Sequence, residues 1–282
     1  MIKIVADTTS GIPLKQAEEL GVAYIPQIIV FGNKSYRDDT EMDTARFLKM
    51  LGESPVLPKT AAPPPSLYTP IFREYCQPGN TVFVICPSQK LSGTFRSATI
   101  AAQDFPSADI RIIDTRIIAG GLATLVIKAV EWANANLSPD ELEKRIVELS
   151  ANNKTYFMVD TLEFLQKGGR IGGAAALLGG ILQIKPILAM VNGEVQPVES
   201  QRTHRRAIAR LKELVISQYL PGENMELSVM HGDAQDEAEA MVADFSNVIN
   251  TQNIPIYELP PAILVHAGPG VLAVSYFTKP TP

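Results

Sequence analysis

Cysteine is nearly absent: the 282-residue chain has only Cys76 and Cys86. Two isolated cysteines make neither a disulfide framework nor a metal-binding spacing, and they read as reduced residues in a reducing compartment. Histidine is almost as scarce. His204, His231 and His266 stand far apart in sequence, so no paired metal-ligand motif exists and no metal is expected. Basic charge is in deficit, with 25 Lys and Arg against 30 Asp and Glu and a net charge of -5. A nucleic-acid partner needs a basic face, so none is expected. Long hydrophobic runs are missing too. The longest, Ile171 to Ile184, holds 14 residues, four of them glycine, and is too short to span a bilayer. The opening residues Met1 to Asp7 lack signal-peptide architecture. The expectation is a cytoplasmic chain without a transmembrane segment, whose membrane contact is at most transient. No Gly-x-Ser-x-Gly elbow appears, and no acid/base carboxylate pair stands out.

What the chain does have is apolar content, at 46% hydrophobic residues. That length and composition suit a sizeable core divided over two domains. Ile2–Ala6, Thr81–Cys86 and Ile110–Ile113 read as buried strands, and Val22–Phe31 is rich in β-formers. Helical patterns fall near Asp43–Leu51 and over Ser92–Gln103. Two more helices follow Asp114-Thr115, the second opening with Ser138-Pro139-Asp140-Glu141, an N-cap, a first-turn proline and a capping-box glutamate. Pro55 to Pro70 contains six prolines and reads as an extended or turning loop. From about Asn152 a second unit begins. It is expected to hold a strand at Thr155–Val159, a hairpin of Leu182–Val191 and Glu194–Val198 turning at Asn192-Gly193, and an arginine-rich helix at Thr203–Ser217. Strands at Leu227–Met230, Ile254–Leu259 and Ile263–His266 complete it. The expected fold class is α/β: an N-terminal three-layer parallel-sheet domain (1–151) and a C-terminal mixed-sheet domain (152–282).

Leu91-Ser92-Gly93-Thr94 is the best candidate anion site. It lies where a strand and loop give way to a helix, whose first N–H groups are unpaired and partly positive. Ser92 and Thr94 add hydroxyls, and Gly93 permits close approach to the backbone. The plainer reading of Ser92 is an N-cap. Thr60, in Lys59-Thr60-Ala61-Ala62-Pro63, sits in a loop stiffened by proline, although the loop could be a mere connector. His266 opens His266-Ala267-Gly268-Pro269-Gly270, which superficially matches a dinucleotide fingerprint. Pro269 has no N–H to offer a pyrophosphate, so His266 reads instead as an orienting group or a core histidine. Asp7-Thr8-Thr9-Ser10 reads as a turn closed by side-chain hydrogen bonds. Lys167 to Gly173 lacks the Lys-hydroxyl pair of a P-loop. Its Arg170 can pair with a carboxylate or a phosphate, or with the other domain. Arg202, Arg205 and Arg206 crowd a helix start, where positive charge is unfavourable.

In order and spacing these segments resemble the DegV family, together with Asp114-Thr115, Thr161 to Leu165, Ile184 to Leu188 and Gly168-Gly169-Arg170-Ile171. The resemblance runs over almost the whole chain. It implies two α/β domains with a long-chain fatty acid between them. It also implies a ligand carboxylate held by Thr60 and Ser92 in the setting of Gly93 and Thr94, with His266 in the surrounding hydrogen-bond network. Arg170 and Arg202 would meet the acyl phosphate or a separate ATP-dependent fatty acid kinase subunit. On this reading the chain is a lipid-binding protein with no cofactor beyond its fatty acid, and not itself an enzyme. One departure is clear: Ala61-Ala62 replace the family's Ser-Gln.

A tail contributes about 0.8 kcal/mol per buried methylene, so it can supply most of the affinity while the head group fixes orientation. The competing expectation is an α/β enzyme that uses Ser92, Asp7 and Arg170 on a small acidic or phosphorylated metabolite. A scaffold with a vestigial pocket is the third. The polarity of the cavity next to Ser92 separates the first two.

Overall fold

The computed structural model describes residues 1–178, 184–218, 226–249 and 253–278. The first part of the chain runs β1 (Ile2–Asp7), α1 (Leu14–Glu19), β2 (Ala23–Ile25), β3 (Ile28–Phe31), β4 (Lys34–Arg37), α2 (Thr44–Glu53), β5 (Lys59–Ala61), α3 (Tyr68–Tyr75), β6 (Thr81–Cys86), α4 (Thr94–Ala102), β7 (Asp109–Asp114), α5 (Ala119–Asn134) and α6 (Pro139–Ala151). The second runs β8 (Asn153–Met158), α7 (Glu163–Lys167), β9 (Lys185–Val191), β10 (Glu194–Gln201), α8 (His204–Ile216), β11 (Leu227–His231), α9 (Gln235–Val248), β12 (Ile256–Glu258), α10 (Pro261–Ala267) and β13 (Leu272–Phe277).

Three sheets result. One is parallel, four-stranded and ordered β2-β1-β6-β7, and a small antiparallel one is ordered β4-β3-β5. The third is six-stranded, ordered β10-β9-β8-β13-β11-β12, and mixed, because β11 and β12 run parallel while its other pairs are antiparallel. The parallel sheet is covered on both faces, which is why β6 reads as an uninterrupted apolar run (Thr81–Cys86, all buried). Tyr68 and Phe72 of α3 and Ala98 and Ala101 of α4 pack on one face. Helix α5 lies on the other, and it also touches β8, β11 and β13 of the six-stranded sheet. One hydrophobic core therefore runs from Ile4, Phe83 and Ile85 through Leu122 and Val126 to Met230, Leu264 and Ala273. The outer face of the six-stranded sheet is closed by α8 and α9, with Leu211, Val215, Met241 and Phe245 buried there.

Local signals explain most element ends. Ser138 accepts from the Glu141 N–H at 3.3 Å, while the Glu141 side chain turns away to Arg145. Asp43 and Thr203 cap α2 and α8 in the same manner. Asn192 and Gly193 both have positive φ (51° and 81°), as a two-residue primed turn demands. Leu182 and Gln183, expected to begin that hairpin, lie outside the described residues, as does part of the Ile171–Ile184 run. The proline-rich stretch contains β5, an edge strand on β3, and then α3, with Pro70 in its first turn. Cys86 is buried and Cys76 only partly so.

One expectation is wrong: Ile263–His266 is not a strand. Pro260 and Pro261 start α10, and Gly268 ends it at φ 77°. Four apolar residues cannot by themselves separate a strand from a helix turn. The strand belongs after the glycines, at Leu272–Phe277, between β8 and β11. No helix among the described residues is long and apolar enough to cross a membrane.

The start of α5 is tight. A Cβ on Gly121 would lie 2.5 Å from Ser275 Oγ and 2.8 Å from Ile117. By contrast, nothing lies within 4 Å of a Cβ at Gly52, exposed near the end of α2. Gly121→Ala is expected to cost about 1–3 kcal/mol through overpacking, and Gly52→Ala to add up to about 1 kcal/mol. Thermal melts of the two variants should shift in opposite directions.

Candidate functional site

In the parallel sheet the chain leaves β1 for β2 on one side, while β6 joins β1 on the other. Ligands of such sheets bind beyond the carboxyl ends of the strands at this reversal. The end of β1 supplies Asp7 and the turn after it Thr9, while the segment between β6 and α4 supplies Ser92 and Gly93 and the first residue of α4 is Thr94. A cavity opens beside them, with about 890 Å³ of empty space including its mouth. Most of its wall is apolar: Ile118, Phe157, Leu165, Met190, Val195, Met230, Leu259, Ile263 and Val271. Thr9, Gln27, Thr60, Ser92, Arg170 and His266 are among its few polar lining residues.

Two hydroxyl groups reach this cavity on different supports. Thr60 sits on β5, opposite Ile29 of β3, and its Oγ1 is 2.8 Å from His266 Nε2 on α10. Ser92 Oγ is 2.9 Å from Thr94 Oγ1 and accepts weakly from the Thr94 N–H at 3.3 Å. The two loops touch, for a Cβ placed on Gly93 would come within 3.1 Å of the Ala62 Cβ. Gly93, not Ser92, is the capping residue of α4, and no side chain caps that helix. Thr94 is buried and does not line the cavity; its hydroxyl donates backwards to Asp7 Oδ2 at 2.9 Å.

Burial and the nearby Arg170 charge push the His266 imidazole down to about 4, so the ring is neutral at pH 7. Its Nδ1 is buried and has no hydrogen-bond partner. A buried N–H without an acceptor is costly, which favours the tautomer with the proton on Nε2. That nitrogen then donates to Thr60 and leaves the threonine proton free to face the cavity. Gly168 is packed against the ring so closely that a Cβ there would lie 2.2 Å from Nδ1.

Behind the lining stands a network of which sequence reasoning found only the Asp7–Thr9 turn. Asp7 is buried at the end of β1. It accepts from the Thr9 N–H (3.0 Å), the Thr9 hydroxyl, Gln27 Nε2 (2.7 Å) and Thr94. Gln27 Nε2 also reaches Thr94 Oγ1 at 2.9 Å. Asp38 accepts from Thr8 Oγ1 at 2.7 Å and the Gln27 N–H at 2.8 Å, while its Oδ2 has no partner. Desolvation lifts the Asp7 carboxyl to about 6 and that of Asp38 to about 7. A lone amide inside an apolar run, Ile25-Pro26-Gln27-Ile28, was the one sequence signal for this network. Asp38 carries no local sequence signal of its own.

Arg170 is half-buried at the cavity wall and donates to the backbone carbonyls of Leu91 (3.0 Å) and Gly168 (2.8 Å). Among the described residues it pairs with no carboxylate. Thr60, Arg170 and His266 also border a second, outer groove that includes Lys59 and Lys167. Arg202 is exposed in the turn before α8 and lines neither space.

A family model described as "Uncharacterised protein, DegV family" matches residues 1–279. The chain belongs to the DegV family. Protein DegV of Bacillus subtilis is 31% identical over 281 residues, covering 99% of either chain. A DegV domain-containing protein of Streptomyces coelicolor is 33% identical over 276 residues, 97% of each. Among solved structures, a fatty-acid-binding DegV-family protein from Thermus thermophilus aligns with a TM-score of 0.92 at 28% identity, over 98% of this chain and 99% of that one. DegV from Bacillus subtilis, a fatty acid binding protein, aligns with a TM-score of 0.87 at 30% identity, over 99% of both chains.

The lifted Asp38 carboxyl has a consequence for stability. Its pKa is about 7 in the folded chain against an ordinary 3.8. The folded state therefore holds an extra proton between these values, and stability falls as pH rises through them. Asp38→Asn is expected to stabilise the ligand-free protein on the order of 2 kcal/mol at pH 8, with the gain fading towards pH 5. Melting curves of both proteins at the two pH values check this.

Proposed function

We propose that this chain binds a long-chain fatty acid, tail in the apolar cavity and carboxylate at Thr60 and Ser92, and offers that acid to a separate ATP-dependent kinase for conversion to acyl phosphate. In this reading residues 1–151 supply the carboxylate end and residues 152–282 cover the tail, and the chain works in the cytoplasm where such a kinase would be. The observation that carries the binding half is the union of an apolar cavity with a hydroxyl pair. Such a wall rewards a methylene chain and penalises a polar metabolite, so the lipid reading is favoured over the small-metabolite enzyme. The fatty acids bound by the Thermus and Bacillus relatives point the same way.

The delivery half draws on the outer groove. A hydroxyl pair leaves a carboxylate oxygen nucleophilic, where a direct cation clamp would hold its charge. Thr60, His266 and Arg170 border both the cavity and the groove that carries Lys59 and Lys167. A partner entering there would meet Lys59 and Arg170, beside a Lys167 already paired with Glu163, as positive groups for a phosphoryl group in transit.

Protein purified from a bacterial host and then denatured is expected to release about one fatty acid per chain, read by mass spectrometry. Recovery of no lipid from several hosts would sink the binding claim. Thr60→Val with Ser92→Ala should lower lipid retention at least tenfold, the loss of one or two hydrogen bonds to a charged group. The vestigial-scaffold reading requires no change.

Arg170→Ala is expected to keep the bound acid but slow acyl phosphate formation by a cognate kinase at least tenfold. Arg202→Ala, far from the groove lining, measures whether the kinase also reads the exposed α8 turn. Equal rates for wild type and Arg170→Ala would remove Arg170 from the delivery step.

A further inference from the structure

A hydroxyl has one proton to give and two lone pairs to receive. Thr94 Oγ1 has three neighbours: Asp7 Oδ2, Ser92 Oγ and Gln27 Nε2, each at 2.9 Å. The amide can only donate, so the remaining two contacts have two self-consistent patterns. With Asp7 ionised, Thr94 donates to Asp7 and must accept from Ser92. The Ser92 proton then points inward, and nothing is left for an acid's carboxylate. With a proton on Asp7 Oδ2 each bond reverses. Asp7 donates to Thr94, Thr94 donates to Ser92, and the Ser92 O–H is free to face the cavity. Every group is satisfied in both patterns, so the three residues form a two-state switch.

We propose that Asp7 is the proton-linked positioning residue of the site: a carboxylate received at Ser92 is matched by a proton on Asp7, passed along Ser92 and Thr94. The proposal rests on the fatty-acid reading above. For an acid entering in its neutral form the step balances internally. The ligand O–H breaks as a Ser92 O–H forms, the old Ser92 proton moves to Thr94, and the old Thr94 proton moves to Asp7 Oδ2. The ligand is left as a carboxylate accepting from Ser92. Starting from the carboxylate in water, the same end state takes up one proton from buffer.

Electrostatics favour this direction. A second negative charge arriving three hydrogen bonds from Asp7 disfavours its ionised form. The titratable groups that face Asp7 are Asp38 after β4, Tyr24 on β2, Tyr68 on α3 and Cys86 on β6. None is a cation, and burial pushes each up towards its neutral form. On the cavity side stand His266, neutral at pH 7, and Arg170, a cation that gives its Nε and one Nη1 N–H to two backbone carbonyls and keeps its other N–H groups. From about 6, the arriving charge has to carry Asp7 well past neutrality for a full proton to be taken up at pH 7.

The test is calorimetric titration of the delipidated full-length chain with myristate, palmitate and oleate, in buffers of different ionisation heat. Wild type is expected to take up close to one proton per ligand at pH 7, and affinity should fall nearly tenfold from pH 7 to pH 8. Asp7→Asn places an N–H donor where the protonated acid had its O–H. It should bind with little pH dependence and almost no proton uptake. Thr94→Val cuts the relay and should also lose the uptake, which covers the case of an Asp7 variant that does not fold. Asp38→Asn should keep it. Undiminished uptake in Asp7→Asn, or in Thr94→Val, would leave the proton on the ligand and overturn the proposal, as would tight wild-type binding without uptake. Failure to bind any of the three acids would instead remove the fatty-acid reading itself.

Discussion

A carboxylate buried without a cation beside it, Asp7, is the constraint around which the polar end of the cavity is built. Burying such a group is tolerable only when hydrogen bonds replace its water. Asp7 collects donors from three segments: Thr9 just after β1, Gln27 just before β3, and Thr94 at the start of α4. Each donor is thereby fixed, and with it the backbone that carries Ser92 to the cavity wall. Replacing Asp7 by an apolar residue would free Thr94 and Gln27 together, so the site and the local fold share one origin.

Thr60 is held by different means. Its partner His266 comes from α10, some two hundred residues further along the chain. The histidine is positioned by the short helix that Pro261 begins and Gly268 ends, and Gly168 leaves room for its ring. The two hydroxyls are thus set by separate devices, a buried carboxylate for Ser92 and a neutral imidazole for Thr60. Both keep net positive charge off the donors. The cation at the wall, Arg170, is committed to backbone carbonyls that themselves belong to the two flanking loops.

The strands of the parallel sheet were legible because burial on both faces writes them as continuous apolar runs, β6 most plainly. Helix starts with a capping side chain, at Asp43, Ser138 and Thr203, were legible for the same local reason. Ser92 and Thr60 could be named because hydroxyls in glycine- or proline-marked loops form a recognisable local pattern, and the family resemblance joined them. What failed was long-range. Ile263–His266 has no periodicity to distinguish a helix turn from a strand, and the capping prolines outweigh its β-branched content. Asp38 and Gln27 are buried too, and neither was singled out from the sequence. Their burial depends on a three-stranded sheet folding over the end of β1, which no local pattern encodes.

The alanines at 61 and 62 bear directly on the head-group geometry. Ala62 lines the cavity, and its methyl group already sits where a Cβ on Gly93 would make close contact. A small residue at 62 therefore lets the Thr60 strand and the Ser92 loop approach, and a glycine at 93 completes the approach from the other side. A larger side chain at either position would have to part the loops or enter the cavity. Either change separates the two hydroxyls that must meet one carboxylate, because a carboxylate's two oxygens are only about one hydrogen-bond length or less apart. Loop spacing, set by two missing side chains, then determines whether Thr60 and Ser92 act on one head group or on none.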